Sequence, residues 1–203
     1  IPEEKGGAVA GRLTIVDRDQ EGKPLRIDCT KFGSGAYSIP IGVEHLQFET
    51  KARFVLVVET AGMFQRLLKH NYWETANCVI ISMGGVPTRA CRRFIRRLAD
   101  EKRIPVYAFT DGDPYGYMNI YRTLKVGSGN AAHINEFFCV PQVTFLGVTP
   151  QDIIDYDLPT HPLKEVDRER ARAAIKNDPF VLTHKQWKKA LEQMLKMGKR
   201  VEQ

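Results

Sequence analysis

The sequence predicts an α/β protein with a mostly parallel sheet flanked by helices. Four runs of apolar, β-branched residues have the length of buried strands, at residues 54–59, 78–84, 104–111 and 142–147. Segments of helical length and period separate the first three runs, at residues 60–70 and 87–102. Continuously apolar strands that alternate with helices indicate a parallel sheet covered on both faces.

The first 53 residues depart from this pattern and predict an N-terminal β extension. Residues 1–11 are polar and glycine-rich, and we expect a frayed lead-in. Residues 12–16 and 25–30 alternate between apolar and polar side chains around a turn sequence, which predicts an antiparallel β-hairpin. Residues 31–42 are expected to form a loop.

The C-terminal part predicts two amphipathic helices. They fall at about residues 164–176 and 183–200, with Thr183 as a plausible N-cap of the second. The chain is therefore divided into a β extension or linker at residues 1–53, an α/β domain at 54–160 and a helical segment at 161–203.

Composition limits the kind of protein this can be. Of the 203 residues, 43% are hydrophobic, which is enough to bury a sizeable core. The net charge of +6 permits a polyanionic partner without requiring one. No run of 18 apolar residues or signal-peptide pattern is present, so no membrane association is expected. The four cysteines form no C-x-x-C pair, which is typical of reduced thiols in a cytosolic protein.

Both ends of the sequence suggest a piece of a longer chain. It begins at Ile1 without an initiator methionine and stops within a helical pattern at residues 187–203. We therefore expect that part of an active site can lie outside these residues.

Three carboxylates follow the predicted strands. Glu59 ends the first strand, Asp111 ends the third, and Asp113 lies just beyond it. The carboxyl ends of parallel strands meet at one edge of a sheet, and residues i and i+2 of an extended segment face the same side. Carboxylates that share a site repel each other unless a cation lies among them, and oxygen ligands select Mg²⁺ first and Mn²⁺ second.

Each acidic residue also has a simpler interpretation. Asp113 can be the N-cap of a helix with Pro114 at its first position, and Glu59 can be a solvated strand end. Neither interpretation explains Asp111, and the three residues together favour a metal site.

Longer strings around these residues resemble a known family. FVLVVETAGMF, then ISMGGVPTR and then IPVYAFTDGDPYG are similar to the Toprim domain in the A subunits of type IIB DNA topoisomerases (topoisomerase VI), which also occurs in the related eukaryotic meiotic break-forming protein. The family pattern is a glutamate ending one strand, a glycine after the next, and D-x-D ending the third. Glu59, Gly84 and the pair Asp111 and Asp113 match it in order, within a similarity that covers residues 54–160.

The resemblance implies a Toprim, Rossmann-like fold and an enzyme that cleaves and reseals duplex DNA. A tyrosine would attack the DNA and hold its 5′ end covalently. Glu59, Asp111 and Asp113 would bind Mg²⁺, with Mn²⁺ as a substitute, and Glu59 could alternatively be the catalytic general acid and base.

The nucleophile is not expected within this chain. In the family it lies in an upstream winged-helix domain, which would precede Ile1. Tyr37 is interpreted as a loop residue packed on the hairpin, and Tyr115 follows the acidic motif too closely to attack a phosphate held there. The fragment alone would therefore be inactive.

The resemblance also implies partners and a location. The protein would act on double-stranded DNA as a homodimer, within a heterotetramer whose B subunit binds ATP. Its location would be cytoplasmic and nucleoid-associated in an archaeon, or nuclear in a eukaryote.

The predicted helix at 87–102 offers a candidate DNA-binding surface. Five arginines fall on one arc of that helix and can reach successive phosphates: Arg89, Arg92, Arg93, Arg96 and Arg97. The competing interpretation is an ordinary solvated face. Lysines of the last helix form a less distinctive basic surface.

Other classes of function remain open. One is a DNA-binding and dimerising scaffold whose carboxylates have no catalytic part, and another is a meiotic break-forming homologue. The ordered Glu59 and Gly84 disfavour a sugar-nucleotide transferase, and Pro114 and Tyr115 break the D-x-D-x-[TV] pattern of phosphatases. Residues 84–87 lack the pattern of a phosphate-binding loop.

Overall fold

The computed structural model of the chain describes residues 6–127 and 136–203. Their strands, in chain order, are β1 (Ala8–Gly11), β2 (Thr14–Arg18), β3 (Pro24–Asp28), β4 (Tyr37–Ser38), β5 (Gln47–Glu49), β6 (Phe54–Val58), β7 (Cys78–Ser82), β8 (Val106–Phe109), β9 (Thr144–Gly147), β10 (His161–Pro162) and β11 (Lys199–Arg200). A six-stranded central sheet has the order β4-β1-β7-β6-β8-β9, beside smaller sheets of order β3-β2-β5 and β10-β11.

The main helices flank the central sheet and follow it in sequence. They are α1 (Ala61–Lys69), α2 (Tyr72–Ala76), α3 (Arg89–Lys102), α4 (Arg122–Val126), α5 (Pro150–Asp155), α6 (Glu165–Asn177), α7 (Pro179–Thr183) and α8 (Lys185–Met197). A π-helical turn at Gly116–Tyr121 leads into α4. Within residues 6–127 and 136–203, no helix combines the length and the hydropathy that crossing a membrane requires.

The centre of the sheet is parallel, which confirms the predicted α/β class. Strand β6 lies between β7 and β8 and runs parallel to both, and β9 runs parallel to β8. Val58 and Phe109, the last residues of β6 and β8, are direct register partners. The two strands therefore end side by side.

Alternate residues of the central strands face two separate apolar layers. Val55 and Val57 of β6 belong to a large core that includes Phe94 of α3. Leu56 and Val58 face the other way, into a smaller cluster with Phe64 of α1. Burial of each such aliphatic side chain is worth about 1.5–3 kcal/mol, so apolar residues are needed on both faces.

The expected lead-in at residues 1–11 is wrong for residues 8–11. These residues form β1, which pairs antiparallel with β7 inside the central sheet. Val9 is fully buried there, and a side chain at Gly11, whose φ is 104°, would lie 2.6 Å from the Cys78 carbonyl oxygen. The glycines therefore allow a close approach of backbones, although their abundance suggested a flexible segment.

The hairpin in the N-terminal part is confirmed. Strands β2 and β3 pair antiparallel, with Thr14 opposite Asp28, and β5 extends the sheet on the other side of β2. In the segment expected to be a loop, Tyr37 and Ser38 form the short edge strand β4. The four cysteines are free thiols, and burial raises the pKa of Cys29, Cys78 and Cys91 to about 12.

The C-terminal helices are present, but Thr183 does not begin the last one. It is the final residue of α7, and its hydroxyl donates a hydrogen bond of 2.8 Å to the carbonyl oxygen of Pro179. His184 is the N-cap of α8 and makes no side-chain capping bond. The extra helix α7 starts at Pro179, behind the capping side chain of Asp178.

Candidate metal centre

Glu59 lies one residue beyond the end of β6, in a buried position. Its side chain is 6% exposed, and its Oε2 atom accepts a hydrogen bond of 2.9 Å from the main-chain nitrogen of Asp111. The structure thus joins the ends of β6 and β8 through this carboxylate. Burial raises the pKa of Glu59 to about 7, and the charges of Asp111 and Asp113 act in the same direction, whereas the hydrogen bond from Asp111 opposes them.

Asp111 lies just past the end of β8 and is half-buried. Its Oδ1 atom accepts a hydrogen bond of 2.8 Å from the main-chain nitrogen of Gln203. Burial raises the pKa of Asp111, and the nearby charge of Glu202 adds to the shift, while the Gln203 bond and Arg200 lower it. A second strand end therefore carries a carboxylate that ionises less readily than usual.

Asp113 combines both roles that the sequence allowed. It is 9% exposed, and its Oδ1 atom accepts a hydrogen bond of 2.7 Å from the main-chain nitrogen of Gly116, so it caps the helical turn that Pro114 opens. Burial raises its pKa, and so does the charge of Asp111. Capping engages one carboxylate oxygen and leaves the residue beside the other acidic groups.

Two glycine positions shape this edge of the sheet. Gly85, with φ of 104°, donates a main-chain hydrogen bond of 2.9 Å to the Glu59 carbonyl oxygen. Gly84, the family glycine, also has a positive φ, of 67°. A side chain at Gly116 would collide with the Asp111 carbonyl oxygen and lie 3.2 Å from Glu59 Oε2. Only glycine lets the helical turn pack directly on the two strand ends.

The donor set fits a hard cation held in an open site. Three buried or half-buried carboxylates raise one another's pKa, and a bound cation would relieve that repulsion. In the described part of the chain, however, no three His, Cys, Asp or Glu side chains form a group able to enclose an ion. Mg²⁺ is usually held by one or two carboxylates, with water and substrate phosphates completing its coordination. Glu59 and Asp111, joined at the strand ends, fit that arrangement better than a closed cage of three ligands.

A cavity of about 230 Å³ opens next to Asp111. Its other walls come from the start of α1 and from the C-terminal residues: Thr60, Gly62, Met63, Arg66, Glu202 and Gln203. The cavity gives an ion or a phosphate group access to the acidic edge from solvent. Arg66, which is exposed, places a positive charge on the far wall.

The five arginines of α3 do not form the exposed stripe that the helical wheel suggested. Arg92 is only 4% exposed, so the expectation that it lies on a solvated face is wrong. Its Nε and Nη1 atoms have no hydrogen-bond partner among the residues described. Arg89, at the first position of the helix, is the exposed member of the set.

The remaining three arginines tie α3 to neighbouring segments. Arg93 makes a two-point ion pair with Glu44, at 2.6 and 3.0 Å. Arg96 pairs with Asp100 at 2.6 Å and also donates to main-chain carbonyl groups near residues 136–139. Arg97 donates to the carbonyl oxygens of residues 43 and 46, and to Glu101 at 2.6 Å. The loops that cover the helix supply these partners.

The two tyrosines weighed as nucleophiles lie apart from any such role. Tyr37 is half-buried in β4, and burial raises its pKa to about 12. Tyr115 is partly exposed, and the guanidinium group of Arg170 lies 5.0 Å from the centre of its ring. Neither hydroxyl has an environment that would stabilise a phenolate.

Sequence reasoning missed the C-terminal contribution to the site. Val201 pairs with Gly112 through two main-chain hydrogen bonds, of 2.9 and 3.3 Å, and Gln203 contacts both strand ends. No local pattern predicts a contact between residues 92 positions apart. The signal that was present is Val201 itself, an apolar residue between charged neighbours.

A glutamate after one parallel strand, a glycine turn after the next and two aspartates after the third define a Toprim domain. The family model for the Toprim domain shared by topoisomerase 6 A subunits and Spo11 matches residues 54–203. The model for the all-beta domain in the DNA topoisomerase VI alpha subunit matches residues 3–52. The chain belongs to the family of topoisomerase VI A subunits.

Archaeal relatives give the same result. The proteins named as A subunits of type 2 DNA topoisomerase 6 are 57% identical over 203 residues in Methanocaldococcus jannaschii, 39% over 204 in Halobacterium salinarum and 36% over 204 in Methanosarcina mazei. Each alignment covers 100% of this chain but 55%, 55% and 54% of the respective relative. The chain thus spans about half the length of the curated relatives it matches, and activities that need the other half are proposals for it.

Proposed function

We propose that this chain is the metal-binding part of a topoisomerase VI A subunit that cleaves and reseals duplex DNA by tyrosyl transesterification. The observation that carries the proposal is the junction of the two strand ends, where Glu59 Oε2 accepts a hydrogen bond of 2.9 Å from Asp111. That junction brings two carboxylates of a Toprim pattern to one edge of the sheet, beside a cavity open to solvent.

Glu59 and Asp111 would hold the Mg²⁺ or Mn²⁺ ion. The ion would neutralise charge on the scissile phosphate and on the departing 3′ oxygen. Asp113 would stabilise the loop through its bond to Gly116 and contribute its charge to the same site. With a pKa raised to about 7 by burial, Glu59 can also hold a proton near neutral pH, as a general acid and base requires.

The nucleophilic tyrosine is proposed to lie in the part of the protein outside these 203 residues. The relatives are almost twice as long as this chain, which leaves room for another domain. ATP would bind to a partner B subunit, and two A subunits would form the DNA-binding dimer, in the cytoplasm of an archaeal cell. These statements rest on the family to which the chain belongs.

DNA contact on α3 is proposed in a narrower form than the sequence suggested. Arg89 is exposed and can reach a phosphate, whereas Arg93, Arg96 and Arg97 are each paired with a carboxylate. Exposed lysines along α8 and β11 offer further phosphate contacts: Lys185, Lys189, Lys196 and Lys199. Such contacts would bind duplex DNA without sequence preference.

Calorimetric titration of the chain with Mn²⁺ tests the metal site. We expect wild-type binding, and a loss of affinity in Glu59→Gln and Asp111→Asn that exceeds the 10- to 100-fold effect typical of residues behind the ligands. Glu165→Gln is the matched control, since it removes an exposed carboxylate of α6. Equal affinity in all four proteins would favour the alternative, a scaffold whose carboxylates have no catalytic part.

A further inference from the structure

The side chain of Gln203 connects the ends of two parallel strands. Its Nε2 atom donates a hydrogen bond to the carbonyl oxygen of Phe109, the last residue of β8. Its Oε1 atom accepts from the hydroxyl of Thr60 at 3.2 Å and from the main-chain nitrogen of Thr60 at 3.4 Å. Thr60 directly follows Glu59, and Phe109 lies two residues before Asp111, so the amide spans the junction between the two carboxylates.

The main chain of Gln203 adds a direct contact to the site. Its nitrogen donates a hydrogen bond of 2.8 Å to Asp111 Oδ1. One residue therefore orients the Asp111 carboxylate and also fixes the backbone on both sides of the site. An amide suits this position because it offers a donor and an acceptor at the same distance along the side chain.

A buried anchor holds Gln203 in place. Val201, two residues earlier, is 2% exposed and packs with Val148 and Ile153 in a small apolar cluster. Its two main-chain hydrogen bonds to Gly112 fix this segment against the loop that separates Asp111 from Asp113. Gln203 is thus held by packing and by main-chain pairing before its own side chain makes any contact.

We propose that Gln203 is a positioning residue, which sets the spacing of Glu59 and Asp111 and thereby the affinity of this carboxylate pair for a divalent cation. The inference rests on the proposed metal site. Oxygen ligands bind Mg²⁺ and Mn²⁺ only within a narrow range of distances, so a small separation of the strand ends weakens binding. Partners that orient metal ligands commonly change affinity 10- to 100-fold when they are removed.

The test compares Mn²⁺ affinity with metal-free stability in the same proteins. Gln203→Met keeps the length of the side chain but removes both hydrogen-bonding groups, and Gln203→Asn keeps the amide but shortens its reach. Gln186→Met is the matched control, since Gln186 is an exposed residue of α8. We expect Mn²⁺ affinity to fall about 10- to 100-fold in Gln203→Met and by less in Gln203→Asn, with unfolding midpoints in EDTA close to wild type.

The outcomes separate the two proposals. Wild-type Mn²⁺ binding that is unchanged in both Gln203 variants would overturn the positioning role and leave the metal site standing. A loss of affinity that follows an equal loss of metal-free stability in both variants would show a merely structural role, and would also overturn the inference. If the wild-type chain binds no Mn²⁺, the metal site fails and the positioning role fails with it.

Discussion

Replacement of Glu59 by glutamine is expected to make the metal-free protein more stable at alkaline pH. The pKa of Glu59 is raised from 4.5 to about 7, chiefly because its carboxylate is buried. An acid whose pKa is raised by folding contributes stability that is fully present below its unfolded pKa, and that stability is lost as pH rises through the folded value. For Glu59, the loss therefore falls between about pH 4.5 and pH 7.

The size of the effect follows from the shift. A change of one pKa unit corresponds to about 1.4 kcal/mol, so ionised Glu59 lowers the free energy of unfolding by about 3 kcal/mol. Glutamine has nearly the same shape and can still accept the hydrogen bond from Asp111, but it carries no charge. Glu59→Gln should match wild type near pH 4 and exceed it by about 3 kcal/mol at pH 8.

Urea denaturation in EDTA at several pH values measures this difference directly. The other acidic residues are common to both proteins, so their titration largely cancels when the two unfolding free energies are subtracted. Glu165→Gln, an exposed substitution, controls for the loss of one negative charge. A difference between Glu59→Gln and wild type that stays constant from pH 4 to pH 8 would refute the assignment of a buried, repelled carboxylate. Mn²⁺ at pH 8 should stabilise wild type and leave Glu59→Gln almost unchanged, since only a protein that binds the ion gains from it.

Two further predictions concern the packing of the site and the basic helix. Gly116→Ala should lower the free energy of unfolding by about 1–3 kcal/mol, because its methyl group collides with the Asp111 carbonyl oxygen, and urea curves that overlay those of wild type would contradict the close packing. Arg89→Ala should leave stability unchanged and reduce the slope of log affinity for duplex DNA against log salt by about 0.9, whereas Arg97→Ala should destabilise the fold by about 1–3 kcal/mol through the carbonyl groups it leaves unpaired. The opposite assignment of effects to these two arginines would show that DNA binds along the covered part of α3.

The central strands could be predicted because burial on both faces leaves a local mark. Strands β6 and β7 are continuously apolar, and their alternate residues face two different cores. Strand β1 left no such mark, since two of its four residues are alanine and one is glycine. Its place in the sheet depends on a close backbone approach to Cys78, which a single chain segment cannot reveal.

The candidate site was predictable to the same extent. Strand ends carry Glu59 and Asp111, and parallel pairing alone brings them together. The periodicity of α3 identified its arginines, but it could not show that Glu44 and the carbonyl groups of residues 43 and 46 would cover them. Those partners lie about 50 positions away in the sequence, as the contact between Gln203 and Asp111 lies 92 positions away.

The unequal thickness of the two apolar layers has a consequence for local opening of the protein. The layer beneath α1 and α2 contains six buried residues, whereas α3 packs on the extensive core and is tied by arginines to neighbouring segments. Partial unfolding should therefore begin on the α1 side, where fewer buried contacts resist it. Because α1 starts at Ala61, next to Thr60, each such opening would detach Thr60 from Gln203. Amide protons of α1 should exchange with solvent faster than those of α3, and cation binding at Glu59 would slow that exchange.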